Sequence, residues 1–236
     1  MTQKKSDGLL EIAKTVGYAI LIAVVIRSFL YEPFRIPSGS MIPTLLVGDF
    51  LFVAKYSYGY SKYSIPFSPD LFSGRILDGA PKRGDVAVFR DPPDPKTDFI
   101  KRIVGLPGDH IQMKGGILYI NDVAVIRERI ADYVDERGNS YIQYIETLPN
   151  GVKHRIIEME GDTGNLDNTD VFIVPPDHYF AMGDNRDDSS DSRTPVVGYV
   201  PSENLVGRAD IIFFSAAGRW WEFWRYRFAR FFDLIT

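Results

Sequence analysis

Cysteine is absent from this 236-residue chain. Disulfides, zinc–thiolate sites and a thiol nucleophile are therefore excluded, while the compartment stays open. Histidine is scarce: His110, His154 and His178 are the three present. No two have the spacing that sets a metal-binding pair on one helix, so neither a metal nor a cofactor is expected. A serine–histidine–acid triad needs a positioned imidazole. His178, just after Pro175-Pro176, is the candidate nearest a motif, and it reads as structural. His110 and His154 read as solvated or structural. Basic charge is not in excess either. The formal net charge of −4 gives no hint of a nucleic-acid partner. What remains, 45% hydrophobic and 25% charged residues, is ordinary globular composition. The length suits one or two domains.

One long apolar segment stands out, and it is N-terminal. The uncharged run Thr15 to Ile26 is short for a spanning helix, but Leu9 to Leu30 reaches the ~20 residues required. Glu11 and Lys14 sit near one end, where they can snorkel. A cleaved leader needs small residues after the apolar core. Here Arg27-Ser28-Phe29-Leu30-Tyr31-Glu32-Pro33 is bulky, which favours an uncleaved anchor over residues 1–30. Lys4, Lys5 and Lys14 put the N-terminus in the cytoplasm and the remainder outside. Tyr31 and Phe34 then fall near the outer interface.

Just past the anchor comes Pro37-Ser38-Gly39-Ser40-Met41-Ile42-Pro43-Thr44-Leu45. Glycine permits a sharp turn, and each proline restricts its own φ and its predecessor. Such a turn either exits the membrane as an ordinary Ser/Gly turn or presents a serine hydroxyl as a nucleophile. Strand candidates follow at 48–55 and 83–90, separated by a Tyr/Ser/Pro/Gly-rich stretch, 56–82, expected to be a surface loop. In the next strand candidate, 98–109, Phe99, Lys101 and Ile103 share one face; Ile100, Arg102 and Val104 share the other. A lysine buried between apolar side chains loses solvation, and its pKa falls from about 10.4 toward neutrality. Lys101 is thus either a base or an edge-strand lysine reaching water.

Residues 110–173 carry turn signals at short spacing, among them Gly115-Gly116 and Asn121-Asp122. They predict hairpins in an inserted β subdomain. The block 183–193 is dense in Asp, Asn and Ser but misses the calcium-loop spacing. It reads as a turn-rich loop held by Asp–Arg pairs that supplies a hydroxyl to a neighbouring site. Val196 to Val200 and Leu205 to Phe214 read as apolar strands. From Gly218 onward the chain mixes all three tryptophans with arginines. At helical spacing, Trp220, Trp221, Trp224, Phe228, Phe231, Phe232 and Ile235 form one arc. That predicts an amphipathic helix over 218–236, lying in a membrane interface or packed on the protein.

Taken together, these stretches resemble bacterial type I signal peptidase. Residues 37–45 look like its nucleophile box, Arg83-Gly84-Asp85-Val86 like the next strand, Lys101 to Asp109 like the lysine box, and Gly183 to Arg193 like the last box. The family often has two N-terminal membrane segments; one is visible here. The resemblance implies a mostly β fold. An antiparallel catalytic domain spans 31–109 and 174–217 and holds the smaller β insertion at 110–173. It implies a serine–lysine dyad in which Ser40 attacks and neutral Lys101 takes its proton. It implies an oxyanion hole from the Ser38 side chain and the Ser40 N–H, with Ser189 orienting the lysine and Asp191 and Arg193 holding the loop. Implied partners are exported preproteins with small residues one and three positions before the cut, and membrane phospholipid. The implied location is the bacterial cytoplasmic membrane, single-pass, with the catalytic domain on the periplasmic side. A tethered β scaffold without catalysis is the competing reading. A self-cleaving serine–lysine regulator would bring a DNA-binding domain, and none is seen.

Overall fold

A computed structural model describes residues 3–236 except 71 and 220, and only the backbone of residues 3–7 and 9. The chain is mostly antiparallel β, preceded by one helix, Gln3–Phe29. Its segment Leu10–Phe29 is long and apolar enough to cross a membrane. The helix is fastened to the first strand, Tyr31–Arg35, at its C-terminal end. There Arg27 pairs with Glu32 at 2.7 Å, and Lys55 pairs with the same carboxylate at 2.7 Å.

The main sheet runs in the order Tyr31–Arg35, Asp49–Ala54, Leu205–Ser215, Val86–Arg90, Asp98–Gly105, His178–Met182 and Val200–Pro201. Its middle is covered on both faces, which is why these strands read as continuous apolar runs rather than alternations. In Val86–Arg90, Val86 and Val88 enter the cluster around Met41, Leu45 and Leu51. Ala87 and Phe89 enter another around Tyr58, Ile103 and Val200. The neighbouring strand is buried from Lys101 through Gly105, so Lys101 and Arg102 are buried on opposite faces.

Two smaller sheets flank the main one. One pairs Lys153–Glu158 with Ser140–Thr147, which also pairs Ile126–Arg129 and Tyr133–Val134. The other runs Phe172–Ile173, His110–Lys114, Ile117–Ile120, Val123–Ala124. Its hairpins are tight because Gly115-Gly116 and Asn121-Asp122 all take positive φ, the conformation a two-residue turn of the right twist requires.

The stretch 56–82 is not a plain surface loop. It opens on the short turn Lys55–Ser57, forms another at Lys62–Ser64, and buries Tyr58 and Tyr63. The Arg75 guanidinium explains its order, donating to the carbonyls of Tyr58, Gly59, Ser202 and Leu205. The apolar stretch 196–200 contributes strand only at Val200–Pro201.

The tail is also not a helix. After Gly218 it makes two single turns, Phe223–Arg225 and Phe228–Arg230, and then the strand Asp233–Leu234 beside Leu205–Ser215. Trp220, assigned to the aromatic arc, lies outside the described residues. The physical cause is Asp49, whose carboxylate is fully buried and needs a cation. Arg230 supplies it at 2.5 Å and also donates to the Thr44 carbonyl at 2.9 Å. Backbone bonds from Arg227, Phe232 and Ile235 to Ser215, Ile212 and Asp210 then pin an extended course. A helix would spend those N–H groups internally and leave Asp49 short of its partner. Trp221, Phe223, Trp224, Phe228 and Phe232 stay outward, 51% to 72% exposed.

This staple is testable. Arg230→Ala should destabilise the β domain by about 2–4 kcal/mol, since a buried carboxylate loses its closest cation. The thermal midpoint should fall by roughly 5–10 °C. A midpoint within a degree of wild type would mean that the tail is not held by this pair.

Candidate active site

The turn after Tyr31–Arg35 is shaped by what it buries. Ile36, Met41 and Leu45 plug into the core and anchor it at three points. Between them the chain turns tightly, with Ile42 N–H donating to the Gly39 carbonyl at 3.1 Å and Leu45 N–H to Met41 at 2.8 Å. Ser40 is left at the lip of a cleft of about 370 Å³, 7% exposed. Its N–H has no hydrogen-bond acceptor among the described residues. Ser38, which is exposed, lines the same cleft, as do the buried Lys101 and the exposed Asp188.

Lys101 reaches this point from the centre of its strand, opposite Ala87. Its Nζ donates to Ser40 Oγ at 2.5 Å and lies 5.6 Å from the Phe99 ring centroid. The side chain is 3% exposed. Burial pushes the ammonium down to about 8, against the opposing pull of Asp191, Asp184 and Asp188. A buried amine against a hydroxyl is the arrangement in which serine can lose its proton to a neutral base.

The block 183–193 closes the site from the other side. Strand His178–Met182 ends opposite Arg102, so Gly183 enters beside Lys101. A side chain there would meet Ser189 Oγ at 2.3 Å and the Ser40 carbonyl at 2.5 Å, so glycine alone permits this approach. Ser189 is buried against that point. Its Oγ makes no hydrogen bond of ordinary geometry, and the Asp191 carboxylate is its near polar neighbour. Asp191 is fully buried and accepts from Gly183 N–H at 3.0 Å and from Arg193 Nε and Nη2 at 3.0 and 2.9 Å. Burial alone would raise its pKa, but Arg193 together with the Gly183 N–H and Ser189 outweighs burial and holds it low. Arg193 also donates to the Arg186 carbonyl at 2.6 Å. Asn185 N–H donates to the Ser40 carbonyl at 3.1 Å, which joins the block to the serine turn.

Beneath lies a polar layer that sequence reading missed. Arg102, 0% exposed, donates Nε and Nη2 to the two oxygens of Asp184 at 2.9 and 2.7 Å. Asp184 also accepts from Thr44 Oγ1 at 2.5 Å, so serine turn, lysine strand and final block meet at one carboxylate. Arg186 grips Glu146 in a bidentate pair at 3.1 and 2.5 Å, with His154 Nε2 3.2 Å from the same carboxylate. Burial and Arg102 both lower the His154 pKa, which keeps it neutral. The alternation that singles out Lys101 also sets Arg102 between Ile100 and Val104, and that was the available signal. His178 is apart from this site, with Nδ1 2.8 Å from the Pro176 carbonyl. His110 is exposed on a smaller sheet.

Comparison with known proteins adds a family. The model of the family "Signal peptidase, peptidase S26" matches residues 9–214. A signal peptidase I of Rickettsia canadensis (strain McKiel) is 44% identical over 216 residues, 89% of this chain and 81% of that one. That of Rickettsia conorii (strain ATCC VR-613 / Malish 7) is 45% identical over 213 residues, 87% of this chain and 80% of its own. Among solved structures, a signal peptidase I from Enterococcus faecalis V583 aligns with TM-score 0.33 and 25% identity, covering 55% of this chain and 96% of that one. With a family model spanning most of its length and relatives at nearly half identity, the chain belongs to the signal peptidase family, peptidase S26.

Proposed function

We propose that this chain removes N-terminal signal peptides from exported preproteins by a serine–lysine mechanism. The observation that carries this reading is the 2.5 Å approach of Lys101 Nζ to Ser40 Oγ in a buried setting. Ser40 Oγ attacks the scissile carbonyl while neutral Lys101 takes its proton. The free Ser40 N–H and the Ser38 hydroxyl stabilise the oxyanion. The Lys101 ammonium then gives its proton to the departing amine. Water, deprotonated by the same lysine, hydrolyses the acyl-serine. Ser189 orients the lysine, although its Oγ makes no hydrogen bond to Lys101 Nζ in this structure, and Asp191 with Arg193 holds the loop that carries it. Residues 31–109 and 174–217 act as one catalytic unit, with 110–173 inserted in it. Preproteins with small residues one and three positions before the cut are the substrates.

The helix Gln3–Phe29 is the membrane anchor, with its lysine-bearing end cytoplasmic and the β portion on the periplasmic side of a bacterial inner membrane. A chain of aromatic contacts supports a lipid-facing surface. It runs from Tyr31 through Phe52, Phe213, Phe50 and Phe214 to Tyr226 and Phe228. It links the end of the anchor to the exposed tail rings. A surface of this kind keeps the cleft near the depth at which a signal peptide leaves the bilayer.

Ser40→Ala and Lys101→Ala should each lower preprotein cleavage by about 10⁴-fold or more with the fold intact, because the two act as a unit. Substantial turnover by either variant would sink the dyad mechanism. The pH profile follows from the lysine. Only the neutral amine accepts a proton, so kcat/KM should rise roughly tenfold per pH unit below pH ~8 and level off above it. A rate that is flat from pH 6 to 9 would refute Lys101 as the base. All three tryptophans lie within residues 220–224, so tryptophan emission, excited selectively over tyrosine, reports only the tail. In vesicles, headgroup-proximal doxyl lipid should quench it strongly. Emission unaffected by the quencher would remove the tail from the membrane surface.

A further inference from the structure

Away from the cleft, strand Lys153–Glu158 pairs with the start of the last block. Ile157 N–H donates to the Asp184 carbonyl at 3.0 Å, and Arg186 N–H donates to the Ile157 carbonyl at 3.0 Å. Where that strand ends, Glu158, Asp167 and Asp187 converge, with one oxygen from each within 4.8 Å of the others. Glu158 is 1% exposed and Asp167 0%. Neither oxygen of Glu158, nor Asp167 Oδ1, has a hydrogen-bond partner among the described residues. Two of the remaining oxygens are engaged in holding the walls. Asp187 Oδ2 accepts from the Met159 and Glu160 N–H groups at 2.6 and 2.8 Å, and Asp167 Oδ2 accepts from Gly164 N–H at 2.6 Å. Gly164 lets the loop close over the cluster: a Cβ there would sit 2.5 Å from Asp187 Oδ1. Arg127 approaches Glu158 no nearer than 3.8 Å and gives its short contact, 2.7 Å, to Asp162.

Three carboxylates so close, two of them buried, repel one another and need compensation. One proton is a poor answer. Donated from one carboxyl to another, it would still leave one of the three unpartnered oxygens of Glu158 and Asp167 without a donor. A hard divalent cation answers all the unpartnered oxygens at once. Calcium takes six to eight oxygens at about 2.3–2.6 Å in flexible geometry, and three carboxylate oxygens within 4.8 Å of one another can serve together as its ligands. Magnesium dehydrates reluctantly, keeps several waters and is held through one or two carboxylates rather than by an all-protein cage. We propose that Glu158, Asp167 and Asp187 form a calcium site that ties the 159–168 loop to the block carrying Ser189. The ion would stiffen the support of the cleft without touching substrate.

The test uses the full chain in detergent micelles, stripped with EDTA and melted with calcium or magnesium chloride at matched ionic strength. About 10 mM calcium should raise the melting temperature by about 3–6 °C, the response of a site in the 10⁻⁴ to 10⁻³ M range. Magnesium should do much less. Titration calorimetry should find one calcium per chain. Glu158→Gln and Asp187→Asn should each abolish the calcium-dependent shift. Asp187 is only partly buried, so its variant keeps the test decisive if the Glu158 replacement fails to fold. No calcium shift in the wild type would overturn the proposal. So would a shift retained in both variants, or equal responses to the two ions. A Glu158→Gln protein that melts above a calcium-insensitive wild type would assign the cluster to a held proton instead.

Discussion

Two consecutive cationic side chains, Lys101 and Arg102, are buried on opposite faces of one strand, and the centre of the molecule is arranged around that constraint. Buried charges are tolerated only when they are neutralised or paired. The strand meets both conditions. Arg102 is paired, donating to both oxygens of Asp184. Among the described residues Lys101 has only a hydroxyl at bonding distance, with carboxylates farther off, and burial lowers its pKa. The difference between neighbours in sequence is therefore a difference in what the sheet faces offer them.

The Arg102–Asp184 pair also sets distances elsewhere. Thr44 on one side and Gly84 on the other bond to the same two residues, so the serine turn cannot drift from the lysine strand without breaking a buried charge contact. Asp191 and Arg193 repeat the device in the last block, and Glu146 with Arg186 extends it into the smaller sheet. A site in which 1 Å matters is better held by charge-assisted bonds of fixed geometry than by apolar packing. The tail adds one more such contact through Arg230 and Asp49.

Much of this was legible in the sequence. Period-two alternation in 98–109 set Lys101 between Phe99 and Ile103, and strand Asp98–Gly105 has that register. Turn chemistry at Gly115-Gly116 and Asn121-Asp122 marked hairpins that exist as read. Long-range charge partners were not legible. Asp184 lies 82 residues from Arg102, and nothing local marks it as the counter-charge. The stretch 56–82 looked like a loop because its order comes from Arg75 reaching carbonyls as far away as Leu205. The tail had helical periodicity in its aromatics, but the pattern is blind to a buried carboxylate 181 residues earlier.

The sequence by itself determined the elements whose cause is local: an apolar N-terminal helix, strands bounded by glycine and proline, tight hairpins, and the order of the motif-bearing stretches. These follow from backbone sterics and from short-range patterns of burial. Tertiary structure alone decided which buried charges are paired and which is left to lose its proton. It also decided that the tail is extended rather than helical, and that three carboxylates from separate segments share one point. Each of these depends on what stands across a contact from a residue, and electrostatic energy in a low-dielectric interior depends steeply on that distance.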